Sequence, residues 1–100
     1  MAFAAETICV QGSNERRDPF GAISMPIYQN AAYAHPGLGQ STGYDYSRCG
    51  NPTRDEVQKT VALLEQGTEA LALSTGMAAI TALMEIFSPG DHLIATDDLY

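Results

Sequence analysis

The stretch ALALSTGMAAITALMEIFSPGDHLIAT, residues 70–96, decides the reading of the fold. Ala70–Leu73 is a short apolar run suited to a buried strand, and Ser74-Thr75-Gly76 is a turn. Met77–Phe87 repeats apolar residues at helical spacing, Pro89-Gly90 stops the helix, and His92–Thr96 is a second strand candidate. Strand, glycine turn, helix, strand is an α/β signature. In the helix, Thr81 and Glu85 form a narrow polar stripe, while Ala78, Ala79, Ile80, Ala82, Leu83, Met84, Ile86 and Phe87 cover the rest. A helix apolar nearly all round is expected to be buried on most sides, which belongs in a larger protein than 100 residues. The chain is therefore read as a fragment.

Working outward, a second helix is expected over Thr53–Gln66. Thr53 and Glu56 have capping-box spacing, Pro52 suits the helix entry, and Gly67 suits a left-handed C-terminal position. Val57, Val61 and Leu64 share one face, with Lys59 on the opposite, polar face, four residues after Asp55 and able to pair with it. Before this helix, the segment from Pro19 to Tyr44 holds no Asp, Glu, Lys or Arg, and its prolines and glycines oppose regular structure. Phe20, Ile23, Met25, Ile27, Tyr28 and Tyr33 make it too apolar for a solvated linker. It reads as an arm laid on a partner surface. Residues 1–52 are thus expected to be an N-terminal arm contacting a neighbouring subunit, opened by a helical turn near residues 4–10. Residues 53–100 are expected to begin an incomplete α/β domain.

Composition excludes several function classes. A net charge of -7 with only five basic residues argues against a nucleic-acid surface or a polybasic membrane patch. No run is long and apolar enough to span a bilayer, and residues 1–6 lack the basic and apolar regions of a signal peptide. Cys9 and Cys49 are isolated, without metal-ligand or disulfide-framework spacing, so free thiols and a cytoplasmic setting are expected, with no metal. His35 and His92 likewise have no partner at metal spacing.

Two places can carry chemistry. A strand that turns through Gly76 into a helix presents unpaired backbone N–H groups at the positive end of the helix dipole, a ready phosphate site. Many such turns, however, use glycine for backbone reasons alone. In an extended 44–48 segment, Tyr44, Tyr46 and Arg48 would share one side, and a tyrosine hydroxyl beside a guanidinium suits a phosphate clamp. An ordinary loop with an exposed arginine is the plainer alternative.

Taken together, Tyr46-Ser-Arg48-Cys-Gly-Asn51-Pro-Thr-Arg54, the Ser74–Ile80 turn, and Pro89-Gly90-Asp91 leading to Asp98-Leu-Tyr100 resemble the Cys/Met metabolism (trans-sulfuration) family of pyridoxal-phosphate (PLP) enzymes. The 48–54 and 97–100 segments look most like its cystathionine γ-synthase and γ-lyase members. The resemblance implies a fold of the aspartate-aminotransferase type (fold type I). It implies PLP as cofactor, a small amino-acid substrate, and elimination or replacement at the β or γ carbon of a sulfur amino acid or activated homoserine. It gives Gly76 and Met77 the cofactor phosphate, and Tyr46 and Arg48 the phosphate of a neighbouring subunit's cofactor. Tyr100 would stack on the pyridine ring and help with proton transfer. It further implies a homo-oligomer, a dimer at least and a tetramer by family likeness, with shared sites. The family's cofactor-attachment lysine falls beyond residue 100. Lys59, the only lysine, is not assigned that role, because its helix face is polar and a reactive lysine needs a desolvated setting. Alternatives are an inactive truncated subunit that only binds a full-length partner, or a methionine γ-lyase or O-acetylhomoserine sulfhydrylase within the family. An unrelated phosphate-binding α/β module would need all three motif matches to be coincidence.

Overall fold

The structure, a computed structural model, describes residues 3–13 and 18–100. It contains three helices: α1 (Ala5–Gln11), α2 (Pro52–Leu64) and α3 (Gly76–Met84). The parts of the expected 1–52 arm at residues 1–2 and 14–17 lie outside the described residues.

α2 is capped two residues earlier than its capping-box spacing predicts, and by a different device. Asn51 is the N-cap: its side-chain oxygen accepts from the Thr53 N–H at 2.9 Å, with Pro52 in the first turn, where its missing N–H costs nothing. No capping box forms. The Thr53 hydroxyl instead accepts from the Tyr28 N–H at 2.9 Å and donates to the Pro26 carbonyl at 3.3 Å. The Glu56 carboxylate accepts from the Ser13 N–H at 2.6 Å and the Ser13 hydroxyl at 2.7 Å. Both groups expected to serve the helix end are engaged by chain that precedes it.

At the other end, the left-handed residue is Gln66, with φ 55°, rather than Gly67. The Gly67 N–H reaches back to the Ala62 carbonyl at 2.8 Å, closing a Schellman-type end one residue earlier than the glycine predicts.

α1 packs against α2. Its C-terminus turns at Gly12, with φ 69°, directly over Glu56 and Thr60. That places α1 on the Glu56/Thr60 side of α2 and leaves the Val57/Val61 stripe uncovered, at 50% and 42% exposure. Among the described residues only Ala62 is buried.

The expected strands do not form. Among the described residues the only β pairing is an isolated antiparallel bridge between Ala32 and Tyr46. Leu71 and Ile94, which the strand reading would bury, are 76% and 87% exposed. The Ala72 N–H bonds to the Gln58 side chain at 3.0 Å instead of a neighbouring strand. The physical reason is that a strand is defined by its ladder partners, and segments 70–73 and 92–96 do not pair with each other or with anything else described. α3 is likewise not enclosed. Ile80, Leu83 and Met84 are exposed, and the helix ends at Met84, short of the expected Phe87, in looser turns from Leu83 to Ile86 and Met84 to Phe87.

The segment from Pro19 to Tyr44 is irregular, as its prolines and glycines predict. It is not loose from its own chain. Besides the Thr53 bonds, the Asn51 amide donates to the Tyr28 carbonyl at 3.2 Å, the Tyr44 hydroxyl donates to Asp55 at 2.8 Å, and the Tyr33 and Tyr44 rings lie 5.5 Å apart. The surface shows how little the chain encloses. It exposes 8442 Å², against about 5,500 Å² for a self-contained folded chain of this mass. Its radius of gyration is 17.4 Å, where about 13 Å is usual for 100 residues.

Gly12 tests the α1–α2 junction. A side chain there meets both an unfavourable φ and the Glu56 carboxylate. Gly12→Ala should lower stability by about 1–3 kcal/mol, read from the urea midpoint. Gln66→Gly, which removes a left-handed side chain, should raise stability by up to about 1 kcal/mol.

Candidate functional site

The loop that carries Tyr46 and Arg48 is built by backbone contacts. Tyr33 N–H donates to the Asp45 carbonyl at 3.1 Å and Ser47 N–H to the Ala31 carbonyl at 2.8 Å, the two bonds that flank the Ala32–Tyr46 bridge. The Tyr46 carbonyl then accepts from the Cys49 and Gly50 N–H groups at 2.9 and 3.0 Å, closing a tight turn before α2. The Ser47 hydroxyl donates to the Asn30 carbonyl and accepts from the Asn51 amide at 3.0 Å.

On this turn Arg48 and Tyr46 sit together. The guanidinium donates to the Tyr46 hydroxyl at 3.2 Å and lies 5.3 Å from the ring centroid, a cation–π arrangement. Both residues are exposed, and no carboxylate pairs with Arg48 among the described residues. Its remaining donors are available to an anion, and its planar fork matches phosphate oxygens. Tyr44 does not join them. Its hydroxyl is drawn to Asp55 and its ring to Tyr33, so the alternation that places three residues on one side brings only two together.

The second half of the site is the start of α3. Thr75 is the N-cap, and its hydroxyl accepts from the Ala78 N–H at 3.0 Å; the Thr75 carbonyl takes Ala79 N–H at 3.1 Å. The N–H groups of Gly76 and Met77 donate to nothing among the described residues. A Cβ built on Gly76 meets no atom within 4 Å, so the space before these donors is open. Two unspent N–H groups at the positive end of a helix, behind a residue without a side chain, fit a phosphate monoester such as that of PLP.

These halves are not in contact with each other. No hydrogen bond or ion pair joins Tyr46 or Arg48 to Gly76 or Met77, and Tyr100 is fully exposed with no partner. Lys59 is half-buried, not on an open face as its helix position predicts. It lines two hollows of about 490 and 370 Å³ together with Asp55, and neither hollow includes Tyr46, Arg48, Gly76, Met77 or Tyr100. Cys9 and Cys49 are both free and exposed.

Sequence reasoning placed Asn51 and Arg54 within the 46–54 motif but gave neither a part in holding the Tyr46–Arg48 turn. Asn immediately before Pro is a readable N-cap signal, overridden by the more familiar Thr–Glu spacing. Nothing in the spacing marks Arg54.

The model of the Cys/Met metabolism PLP-dependent enzyme family matches residues 6–100. The chain belongs to that family. It is 47% identical over 95 residues to a cystathionine gamma-lyase of Bacillus subtilis, covering 95% of this chain and 25% of that protein. A cystathionine gamma-synthase of Haemophilus influenzae is 44% identical over 98 residues, 98% of this chain and 27% of that one. Among solved structures, a cystathionine gamma synthase from Xanthomonas oryzae pv. oryzae, in complex with aminoacrylate and cysteine, superposes with a TM-score of 0.78 at 36% identity. The match covers 91% of this chain and 24% of that one. The chain thus spans about a quarter of the length of the curated relatives it matches. The chain's backbone superposes on the corresponding part of that structure, although no sheet is present among the described residues.

The α3 cap gives a direct test of the helix start. Thr75→Ala leaves Ala78 N–H without its acceptor and should cost about 0.5–2 kcal/mol. Amide exchange at Ala78 should quicken while exchange in α2 stays as it was.

Proposed function

We propose that this chain serves in a PLP-dependent subunit that catalyses elimination or replacement at the β or γ carbon of a sulfur amino acid or an activated homoserine. Cystathionine γ-synthase and γ-lyase chemistry is the nearest pattern. The observation that carries the reading is the pair of unspent N–H groups at Gly76 and Met77 with open space before them. The likeness to relatives named for cystathionine chemistry supports the substrate class.

When bound, PLP supplies the electron sink for carbanion chemistry on the amino acid. This chain's part is to hold and orient. Gly76 and Met77 donate backbone N–H bonds to the phosphate, with the α3 dipole adding to the attraction. Tyr46 and Arg48 bring a hydroxyl and a guanidinium to a phosphate. Tyr100 offers a ring to stack on the pyridine and a phenolic oxygen to carry a proton at the substrate.

Tyr46 and Arg48 serve a neighbouring subunit's cofactor, and residues 1–52 form the arm that takes them there. The arm carries Phe20, Ile23 and Ile27 in exposed positions, and the Tyr46–Arg48 pair has no contact with its own chain's Gly76 turn. The assembly is a homodimer at least, on the family pattern a tetramer, working in the cytoplasm.

In the full-length enzyme, Arg48→Ala should weaken PLP binding roughly ten- to a hundred-fold without unfolding the subunit. Unchanged affinity in a folded variant removes Arg48 from the site. Sharing between subunits is tested by mixing inactive Arg48→Ala subunits with inactive subunits that lack the cofactor-attachment lysine. Hybrid dimers then contain one intact site, and random assortment restores up to about a quarter of full activity. No recovery, with subunit exchange shown independently, places Arg48 in its own subunit's site.

A further inference from the structure

Arg54 lies on the first turn of α2, six residues after Arg48, and its guanidinium faces back into the 46–50 turn. Nη1 donates to the Ser47 carbonyl at 3.2 Å and to the Arg48 carbonyl at 3.3 Å, and Nη2 donates to the Cys49 carbonyl at 2.8 Å. Three consecutive carbonyls converge on one planar cation. The N–H groups of Cys49 and Gly50 are meanwhile turned onto the Tyr46 carbonyl. A short turn has few ways to hold its shape, because each residue left unfixed regains its backbone entropy. Here the carbonyl side of the turn is gripped by Arg54 and the N–H side by Tyr46.

The geometry points to Arg54 as the positioning residue for the phosphate contact made by Tyr46 and Arg48. Fixing the Arg48 carbonyl fixes the point from which its side chain departs, and so keeps the guanidinium on the Tyr46 ring and hydroxyl. Arg54 is assigned no phosphate contact of its own, because Nη1 and Nη2 are directed to the turn's own carbonyls. Lysine cannot replace it, since one ammonium lacks the fork that spans carbonyls on both sides. This inference rests on the proposed role of Tyr46 and Arg48, and the test separates the two.

In the full-length protein, PLP dissociation constants are measured for the wild type, Arg48→Ala, Arg54→Met and the double variant, with amide exchange at Cys49 and Gly50 followed in the PLP-free state. Arg54→Met should raise the dissociation constant roughly five- to thirty-fold when Arg48 is present and no more than about two-fold when it is absent, because coupled residues are non-additive. Exchange at Cys49 and Gly50 should quicken. Normal affinity in Arg54→Met beside weakened affinity in Arg48→Ala overturns the inference and leaves the clamp standing. Equal loss in both backgrounds also overturns it, since Arg54 then acts independently of Arg48. Normal affinity in Arg48→Ala removes the clamp itself, and the inference with it. Unchanged exchange at the two amides shows that Arg54 does not hold the turn. If Arg54→Met does not fold, Arg54→Lys takes its place in the same comparison, with a loss of roughly three-fold or more expected and the same overturning outcomes.

Discussion

A helix must satisfy the N–H groups of its first turn, and α2 meets that constraint with a side chain that also binds the segments at Tyr28 and Ser47. Asn51 gives its oxygen to Thr53 N–H and its amide to the Tyr28 carbonyl and the Ser47 hydroxyl. Thr53 adds Tyr28 N–H and the Pro26 carbonyl, and Glu56 adds Ser13. One helical turn therefore fastens the end of α1, the irregular 19–44 segment and the Tyr46–Arg48 loop at once. Without regular structure of its own, the 19–44 segment depends on these side-chain-to-backbone bonds for a defined path.

Legibility in the sequence followed the range of the interaction. The α2 and α3 segments, the irregularity of residues 19–44 and the Tyr46–Arg48 pairing rest on periodicity, turn residues and contacts two residues apart, and all are observed. The capping of α2 was misassigned because Thr53 and Glu56 have longer-range partners at Tyr28, Pro26 and Ser13, which local spacing does not reveal. The strands were expected from composition, yet a ladder is a property of two segments, and neither 70–73 nor 92–96 finds its partner among the described residues. Arg54 could be placed in the 46–54 motif, but its role could not be read, because it is spent on backbone carbonyls, which have no sequence signature.

The exposed surface has one physical reading. Leu71, Ile94, Leu83 and Ile86 are residues that the α/β reading would enclose, and they are exposed among the described residues. The chain carries local geometry, the helix ends and turns, without the layers that give such geometry its stability. Its backbone nonetheless follows the path of the matching quarter of a solved cystathionine gamma synthase.

The grip of Arg54 on main-chain oxygens has a consequence for variation. A clasp that ignores side-chain identity leaves position 49 open to exchange, since its carbonyl is present whatever residue supplies it. Position 49 carries an exposed cysteine with no structural duty for its thiol. Charge, size or polarity can therefore be altered at position 49, beside the Tyr46–Arg48 pair, while the loop keeps its shape. That makes the turn a place where selection, or a mutagenesis library, can retune neighbouring contacts without rebuilding the scaffold.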